Sequence, residues 1–267
     1  MSLVSDSRAE HVSEPVVLEG TISVQACLQS GSRQIKEICI DRKHKRRTRA
    51  LVRVERLAGA SHVPIQYIER SEIDQLASGT THGGIIAVAG PRRFAQLTDL
   101  IADSQSPFVV MLDGIEDPYN FGAAVRALYA AGVDGLVVRP RNWMSAAGTV
   151  ARASAGASEL VPTAIAESAV EAANYYREQG LVVACATKQR AISIYDADLT
   201  GAIFMVIGGE KRGITRSFVQ QSEMRIQIPY QRDFTPSLST ASAVAVISFE
   251  IMRQRKSQAM AGENSTS

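Results

Sequence analysis

Three stretches of the chain combine polar side chains with glycine, proline or serine in a way that a packed core does not require. The first, Asp113-Gly-Ile-Glu-Asp-Pro-Tyr-Asn-Phe-Gly-Ala-Ala-Val-Arg126, follows the apolar run Phe108–Leu112. Asn120 and Gly122 are read as opening a helix, with Arg126 further along it. Gly122, Ala123 and Ala124 are small enough to admit a second backbone. Taken alone, Asn120 reads equally well as a helix cap and Arg126 as the partner of a surface acid. The second stretch, Val206-Ile-Gly-Gly-Glu-Lys-Arg-Gly-Ile214, is an apolar run that ends in a glycine turn. Glycine there permits positive φ and lets a ligand approach the backbone closely. The turn has neither the GxGxxG spacing of a dinucleotide fold nor the GK[ST] of a phosphate loop. Nicotinamide and nucleoside triphosphate enzymes are therefore disfavoured. The third stretch runs from Ile226-Gln-Ile-Pro-Tyr230 through Gln231–Pro236 to Ser237-Leu-Ser-Thr-Ala-Ser-Ala243. Its serines stand where the orphan amides of a helix start need acceptors. Capping alone explains them, but not why all three stretches follow apolar runs at what would be one edge of a sheet.

The elements that must position these stretches follow from hydrophobic spacing. Phe108–Leu112, Gly135–Val138, Leu181–Ala186 and Ala202–Ile207 are short, nearly continuous apolar runs, the pattern of parallel strands covered on both faces. Between and after them, helical spacing predicts helices over 122–131, 149–155, 168–179 and 241–255. In open α/β sheets, ligands bind beyond the carboxyl ends of the strands. Upstream lies a second α/β unit. It has helices predicted over 21–28, 48–58 and 71–77 (the last capped by Ser71) and strands over 35–40, 63–68 and 84–89. Gly90-Pro-Arg-Arg93 breaks that rhythm. The reading is thus an α/β protein with a disordered N-terminus at 1–14, a small α/β domain at 15–90, a linker at 91–106 containing a short helix (94–102), a larger domain at 107–257 and a disordered tail at 258–267.

Composition narrows the partners. Hydrophobic residues make up 45% of the chain and charged residues 21%, enough for a core without staples. Cys27, Cys39 and Cys185 are odd in number and far apart, which disfavours a disulfide framework or a zinc site and suits a reducing compartment. No apolar run has membrane-spanning length and no signal peptide is evident, so a cytoplasmic location is expected. The net charge is only +2. Between Arg33 and Arg56, however, ten Lys and Arg face only Glu37, Asp41 and Glu55, a local excess of seven positive charges. That concentration favours a polyanion, and Arg42, Lys43, Lys45, Arg46 and Arg47 are its densest part.

Taken together, the three stretches resemble the three motifs of the SpoU (TrmH-type) branch of the SPOUT RNA methyltransferases. Asn120-x-Gly-x-x-x-Arg126 is similar to the first, Gly208-Gly-Glu-Lys-Arg-Gly213 to the second, and Ile228-Pro-Tyr with Ser237-Leu-Ser to the third. Arg152-Ala-Ser-Ala-Gly-Ala157 resembles a further family segment, and the unit ending in Thr81-His-Gly-Gly-Ile85 looks like the substrate-binding domain that often precedes this catalytic domain.

The resemblance implies a trefoil-knotted parallel-sheet domain, a rare exception to the rule against threaded chains. It implies a homodimer with active sites at the subunit interface, S-adenosylmethionine as methyl donor, and transfer to a ribose 2′-hydroxyl of RNA, ribosomal RNA before transfer RNA. It implies donor contacts at Gly208, Ile228 and Leu238, and active-site side chains at Asn120, Arg126, Glu210, Ser237 and Ser239. At Ser239 the chain departs from the family, which usually has asparagine there. Serine lacks the reach of an amide that donates and accepts at once. That departure motivates an alternative, a catalytically impaired RNA-binding protein that keeps the fold; methylation of a base nitrogen is another.

For transfer to a hydroxyl no metal is required, but the hydroxyl is a weak nucleophile until its proton is removed. Positioning and a base would supply the rate. A guanidinium keeps its proton at ordinary pH, so Arg126 is expected to clamp a phosphate and lower the hydroxyl's pKa by its field.

Overall fold

The computed structural model describes residues 15–43, 48–140, 146–188, 190–210 and 213–265. The expectations for 1–14, Lys45, Arg46 and Arg47 lie outside the described residues.

The first unit comprises β1 (Val16–Glu19), α1 (Gly20–Ser30), β2 (Arg33–Asp41), α2 (Arg49–Ala60), β3 (Ile65–Ile68), α3 (Arg70–Leu76) and β4 (Ile85–Arg92). Its sheet has the order β1-β4-β2-β3, with β4 antiparallel to both neighbours and β2 parallel to β3. Leu18, Ile38, Ile40, Ile85 and Ala87 on the sheet close on Val24 and Cys27 of α1 and on Leu51 and Val54 of α2. Thr48 caps α2 by accepting the amide of Leu51 at 3.2 Å.

Two local readings are corrected. Helix α3 starts one residue before Ser71, and its first turn is closed by Glu72, whose carboxylate accepts the Glu69 amide at 2.8 Å. Strand β4 does not break at Gly90 but runs on through Pro91 to Arg92. Beyond Ala89 it has only β2 beside it, an edge position that tolerates proline.

The second unit holds β5 (Phe108–Asp113), α4 (Pro118–Ala130), β6 (Gly135–Val138), α5 (Ala147–Ala153), α6 (Ala157–Leu160), β7 (Thr163–Ile165), α7 (Ala169–Glu178), β8 (Val182–Ala186), β9 (Ile192–Ser193), β10 (Ile203–Gly208), α8 (Arg216–Gln221), β11 (Met224–Gln227) and α9 (Thr240–Ser265). Its strands form one parallel sheet of order β7-β6-β5-β10-β8-β11-β9. Alternation along β5 shows why its run is wholly apolar. Phe108, Val110 and Leu112 join the layer containing α4 and α9, while Val109 and Met111 join the layer containing α7. The α/β class expected from the sequence, with a parallel sheet in the second unit, is the one observed.

The linker reading needs revision. In place of a helix over 94–102 there is one 3-10 turn, Thr98–Leu100, and Ala95 bridges to Ala164. Arg92 reaches into the second unit, donating to the carbonyl of Val161 at 2.8 Å and to Thr163 Oγ1 at 3.1 Å. The tail reading is also revised, since α9 continues to Ser265. Its Gln, Ala, Met and Glu residues are good helix formers, and polarity alone had suggested disorder.

The units meet at the Arg152–Ala157 segment. A Cβ on Gly156 would lie 2.8 Å from Ala26 Cβ, and one on Gly148 2.5 Å from the Val17 carbonyl. Arg152 pairs with the buried Glu19. Beside them Glu159 accepts from Arg33 Nε at 3.0 Å and Ser32 Oγ at 2.6 Å, with Arg92 at 3.5 Å.

Candidate active site

The carboxyl ends of β5, β10, β8 and β11 lie side by side, so the loops that follow them share one edge of the sheet. Two adjoining cavities open there. The larger, about 300 Å³, is walled by Gly208, Ile228 and Leu238, together with Thr187, Lys188 and Tyr230. The three residues expected to contact the donor therefore converge, and Ser237 lines the same space. The smaller, about 80 Å³, is lined by Asn120, Glu116, Asp117 and Gly114. Glu210 and Thr240 line both cavities.

Close approach, not left-handed backbone, explains the glycines after β10. A Cβ on Gly208 would stand 2.8 Å from the Ile214 amide nitrogen, and one on Gly209 would stand 2.1 Å from the Gly114 carbonyl oxygen. Neither residue has positive φ. The glycine turn thus folds back on itself and against the loop after β5, which leaves that side of the cavity open to backbone and to the aliphatic side chains of Ile207, Ile228 and Leu238.

Polar contacts fix the last wall. The Thr240 amide, at the start of α9, donates to Glu210 Oε1 at 3.1 Å, and Thr240 Oγ1 donates to the Gly208 carbonyl at 3.4 Å. The loop between β11 and α9 is exposed from Gln231 to Ser237, yet it must hold Leu238 in the cavity. Two residues that the sequence reading missed tie it down. Tyr230 Oη accepts the Leu238 amide at 2.9 Å. Lys188 donates to the carbonyls of Thr235 at 2.9 Å and Pro236 at 3.2 Å, with its ammonium 5.0 Å from the Tyr230 ring centre. Tyr230 stood inside a quoted motif, so an aromatic there was a usable signal; Lys188, a lone lysine after a strand, carried none.

The remaining expected residues separate. Asn120 is half-buried in the first turns of α4 and does not cap it. That role belongs to Asp117, whose Oδ1 accepts the Tyr119 amide at 2.9 Å, with Pro118 at the first helical position. Arg126 is exposed, two turns into α4, and lines neither cavity. Ser239 lines neither cavity either; its Oγ accepts the Ser242 amide at 3.2 Å, the bond of a helix cap. In the first unit Arg42 and Lys43 are exposed and both lean on Glu69, at 3.6 and 3.2 Å. His82 is buried, with Nε2 2.8 Å from Asp74, a structural contact. The three cysteines are buried thiols, and burial pushes Cys27 up to about 11.

Comparison with known proteins agrees with this geometry. Residues 107–249 match the SpoU rRNA Methylase family, and residues 17–95 match the family described as RNA 2'-O ribose methyltransferase substrate binding. The 23S rRNA (guanosine-2'-O-)-methyltransferase RlmB of Escherichia coli strain K12 is 30% identical over 242 residues, spanning 90% of this chain and 98% of the relative. The RlmB of Shewanella oneidensis is 29% identical over 245 residues, with the same two shares. Among solved structures, the SpoU methyltransferase AviRb from Streptomyces viridochromogenes in complex with AdoMet superposes with a TM-score of 0.75 at 20% identity, covering 91% of each chain. An AdoMet-bound rRNA methyltransferase from Sinorhizobium meliloti gives the same TM-score, covering 90% of this chain and 87% of its own. With one family matched across more than half of its length and the substrate-binding family matched across the unit before it, the chain belongs to the SpoU rRNA methylase family.

Proposed function

We propose that this protein transfers a methyl group from S-adenosylmethionine to the 2′-hydroxyl of a guanosine ribose in 23S rRNA, as a cytoplasmic homodimer. The convergence of Gly208, Ile228 and Leu238 on one cavity, joined at Glu210 and Thr240 to a polar cavity holding Asn120, carries this reading. The larger cavity suits the donor, because its volume is that of a small-molecule site and its largely aliphatic walls carry a few polar groups, among them Thr187, Lys188, Glu210 and Tyr230. When bound, the donor supplies a methyl on a positively charged sulfur, already a good leaving group. Leu238, Ile228 and the Gly208 backbone hold it. Asn120 takes the ribose hydroxyl in the adjoining cavity and aligns it, which provides most of the rate, and the hydroxyl gives up its proton to solvent as the methyl arrives. Glu210 keeps the two cavities in register by holding the start of α9.

Arg126 needs a second copy of the chain to take part. It is exposed on α4, where Tyr119 and Tyr129 are 60% and 44% exposed, and Phe249 on the neighbouring helix α9 is 43% exposed. Pairing of two chains across α4 and α9 buries these rings and brings Arg126 to the mouth of an active site, where it clamps a phosphate. The trefoil knot belongs to the same reading, supported by the close contact of Gly209 with Gly114 and of Glu210 with Thr240. Arg42 and Lys43 hold flanking RNA by its phosphates. No described helix is long and apolar enough to cross a membrane.

The relatives' activity and the intact donor cavity both speak against the impaired-binder alternative; Ser239, the departure that suggested it, caps a helix. The test is incubation with labelled donor and 23S rRNA, then nucleoside mass spectrometry. 2′-O-methylguanosine is expected. A base-methylated product, or none at all, would sink the reading.

A further inference from the structure

Next to the donor cavity lies a larger hollow that the donor does not need. It measures about 620 Å³, and Thr187 and Ile214 form a wall common to both. Its other lining includes Arg190, Arg216 and Arg225. These come from three separate places: the loop after β8, the first residue of α8, and the middle of β11. Arg190 and Arg225 also line an adjoining hollow of about 490 Å³.

No described carboxylate pairs with any of the three. Glu223 lines the adjoining hollow but is taken by Arg177 at 2.5 Å and by the amide of Val183 at 3.1 Å. Arg190 has φ of +49°, a left-handed backbone that residues with a side chain seldom adopt. Three like charges drawn to one space repel each other, and a strained backbone adds to the cost. Such an arrangement is stabilised by an anion, and the planar fork of a guanidinium fits phosphate oxygens in pairs.

We propose that this hollow binds a backbone phosphate of the RNA, beside the donor cavity and on the side away from the Asn120 cavity that takes the methylated nucleotide. The proposal rests on the reading of the chain as an RNA methyltransferase. It adds to the basic stretch of the first unit a phosphate contact within the catalytic unit itself. The carboxylate of the donor is the other anion within reach of the shared wall, and the experiment separates the two sources.

The full-length protein is titrated with transcribed 23S rRNA across a range of salt concentrations, and donor affinity is measured separately by calorimetry. Replacing all three residues (Arg190→Gln, Arg216→Gln, Arg225→Gln) is expected to weaken RNA binding about tenfold at moderate salt. It should flatten the slope of log K against log salt by about one, since a single phosphate contact contributes roughly 0.7 to 0.9. Donor affinity should stay as in the unaltered protein. The corresponding triple lysine variant keeps the charge and should keep the slope.

A glutamine variant with unaltered RNA affinity and slope overturns the proposal and leaves the methylation reading intact. Equal loss in the lysine variant overturns a role for charge. Weakened donor binding with unchanged RNA binding also overturns it and assigns the guanidinium groups to the donor carboxylate. The salt slope is read from binding alone, so a protein that binds RNA without transferring methyl would refute the proposed function and still decide this one.

Discussion

At Glu210 one carboxylate oxygen accepts the amide of Thr240, and the same side chain walls both cavities. Glu210→Gln keeps an acceptor in place, so donor affinity by calorimetry should stay within about twofold. Glu210→Ala leaves the helix start unpaired and should weaken the donor about five- to tenfold, one lost hydrogen bond's worth. Equal loss in both variants would mean that the charge, not the bond, matters. Arg126→Ala should lower turnover on 23S rRNA by at least about a hundredfold with donor affinity unchanged, because the residue lines no cavity of its own chain. Turnover near that of the unaltered protein would remove Arg126 from the mechanism. Gly208, Ile228 and Leu238 were named through the resemblance to the family's motifs, and the structure brings the three to one cavity. Ser239 was not legible. Serine both caps helices and serves active sites, and the structure adds that the Ser239 Oγ accepts the Ser242 amide, the bond of a cap.

The loop from Gln231 to Ser237 shows what an element adds. Its own residues are exposed, and it is secured by Lys188 from the end of β8 and by Tyr230. Lys188→Met should free it and raise the donor's Kd about three- to tenfold, with kcat at saturating donor little changed. An unchanged Kd would show that the loop holds its shape unaided. The same separation in sequence hid this clasp from any reading of motifs. Short elements were hidden for a different reason. Strands β7 and β9 and helices α6 and α8 have two to six residues, too few to establish a period. Longer runs such as β5, β10 and α7 stood out because each buries one or two full faces.

Across the whole molecule, the buried cluster of Arg33, Arg92, Ser32 and Glu159 joins the two units. Burial draws the Arg92 guanidinium down from its ordinary pKa, and the charge of Glu159 opposes that shift. Replacing Glu159 with Gln would leave two buried cations without a counter-charge. The cost should be about 3–5 kcal/mol, a fall in Tm of roughly 10 °C. Neither Glu159 nor its partners line the donor cavity, so donor affinity at low temperature should be kept. A Tm within a degree or two of the unaltered protein would show that the units are held mainly by the packing of Gly148 and Gly156.

The sequence by itself determined two α/β units, a parallel sheet buried on both faces, and three loops rich in glycine and serine at its carboxyl edge. Those follow from local periodicity and from where chain-bending residues interrupt it. The tertiary structure alone decided which side chains in the loops meet. It placed Asn120 and Glu210 on one cavity and left Arg126 and Ser239 outside it, joined Lys188 to a loop 47 residues away, and drew three distant arginines to one hollow. The physical reason is that a cavity wall is assembled from separate strand ends, and the spacing of residues along the chain carries no measure of the distance between those ends.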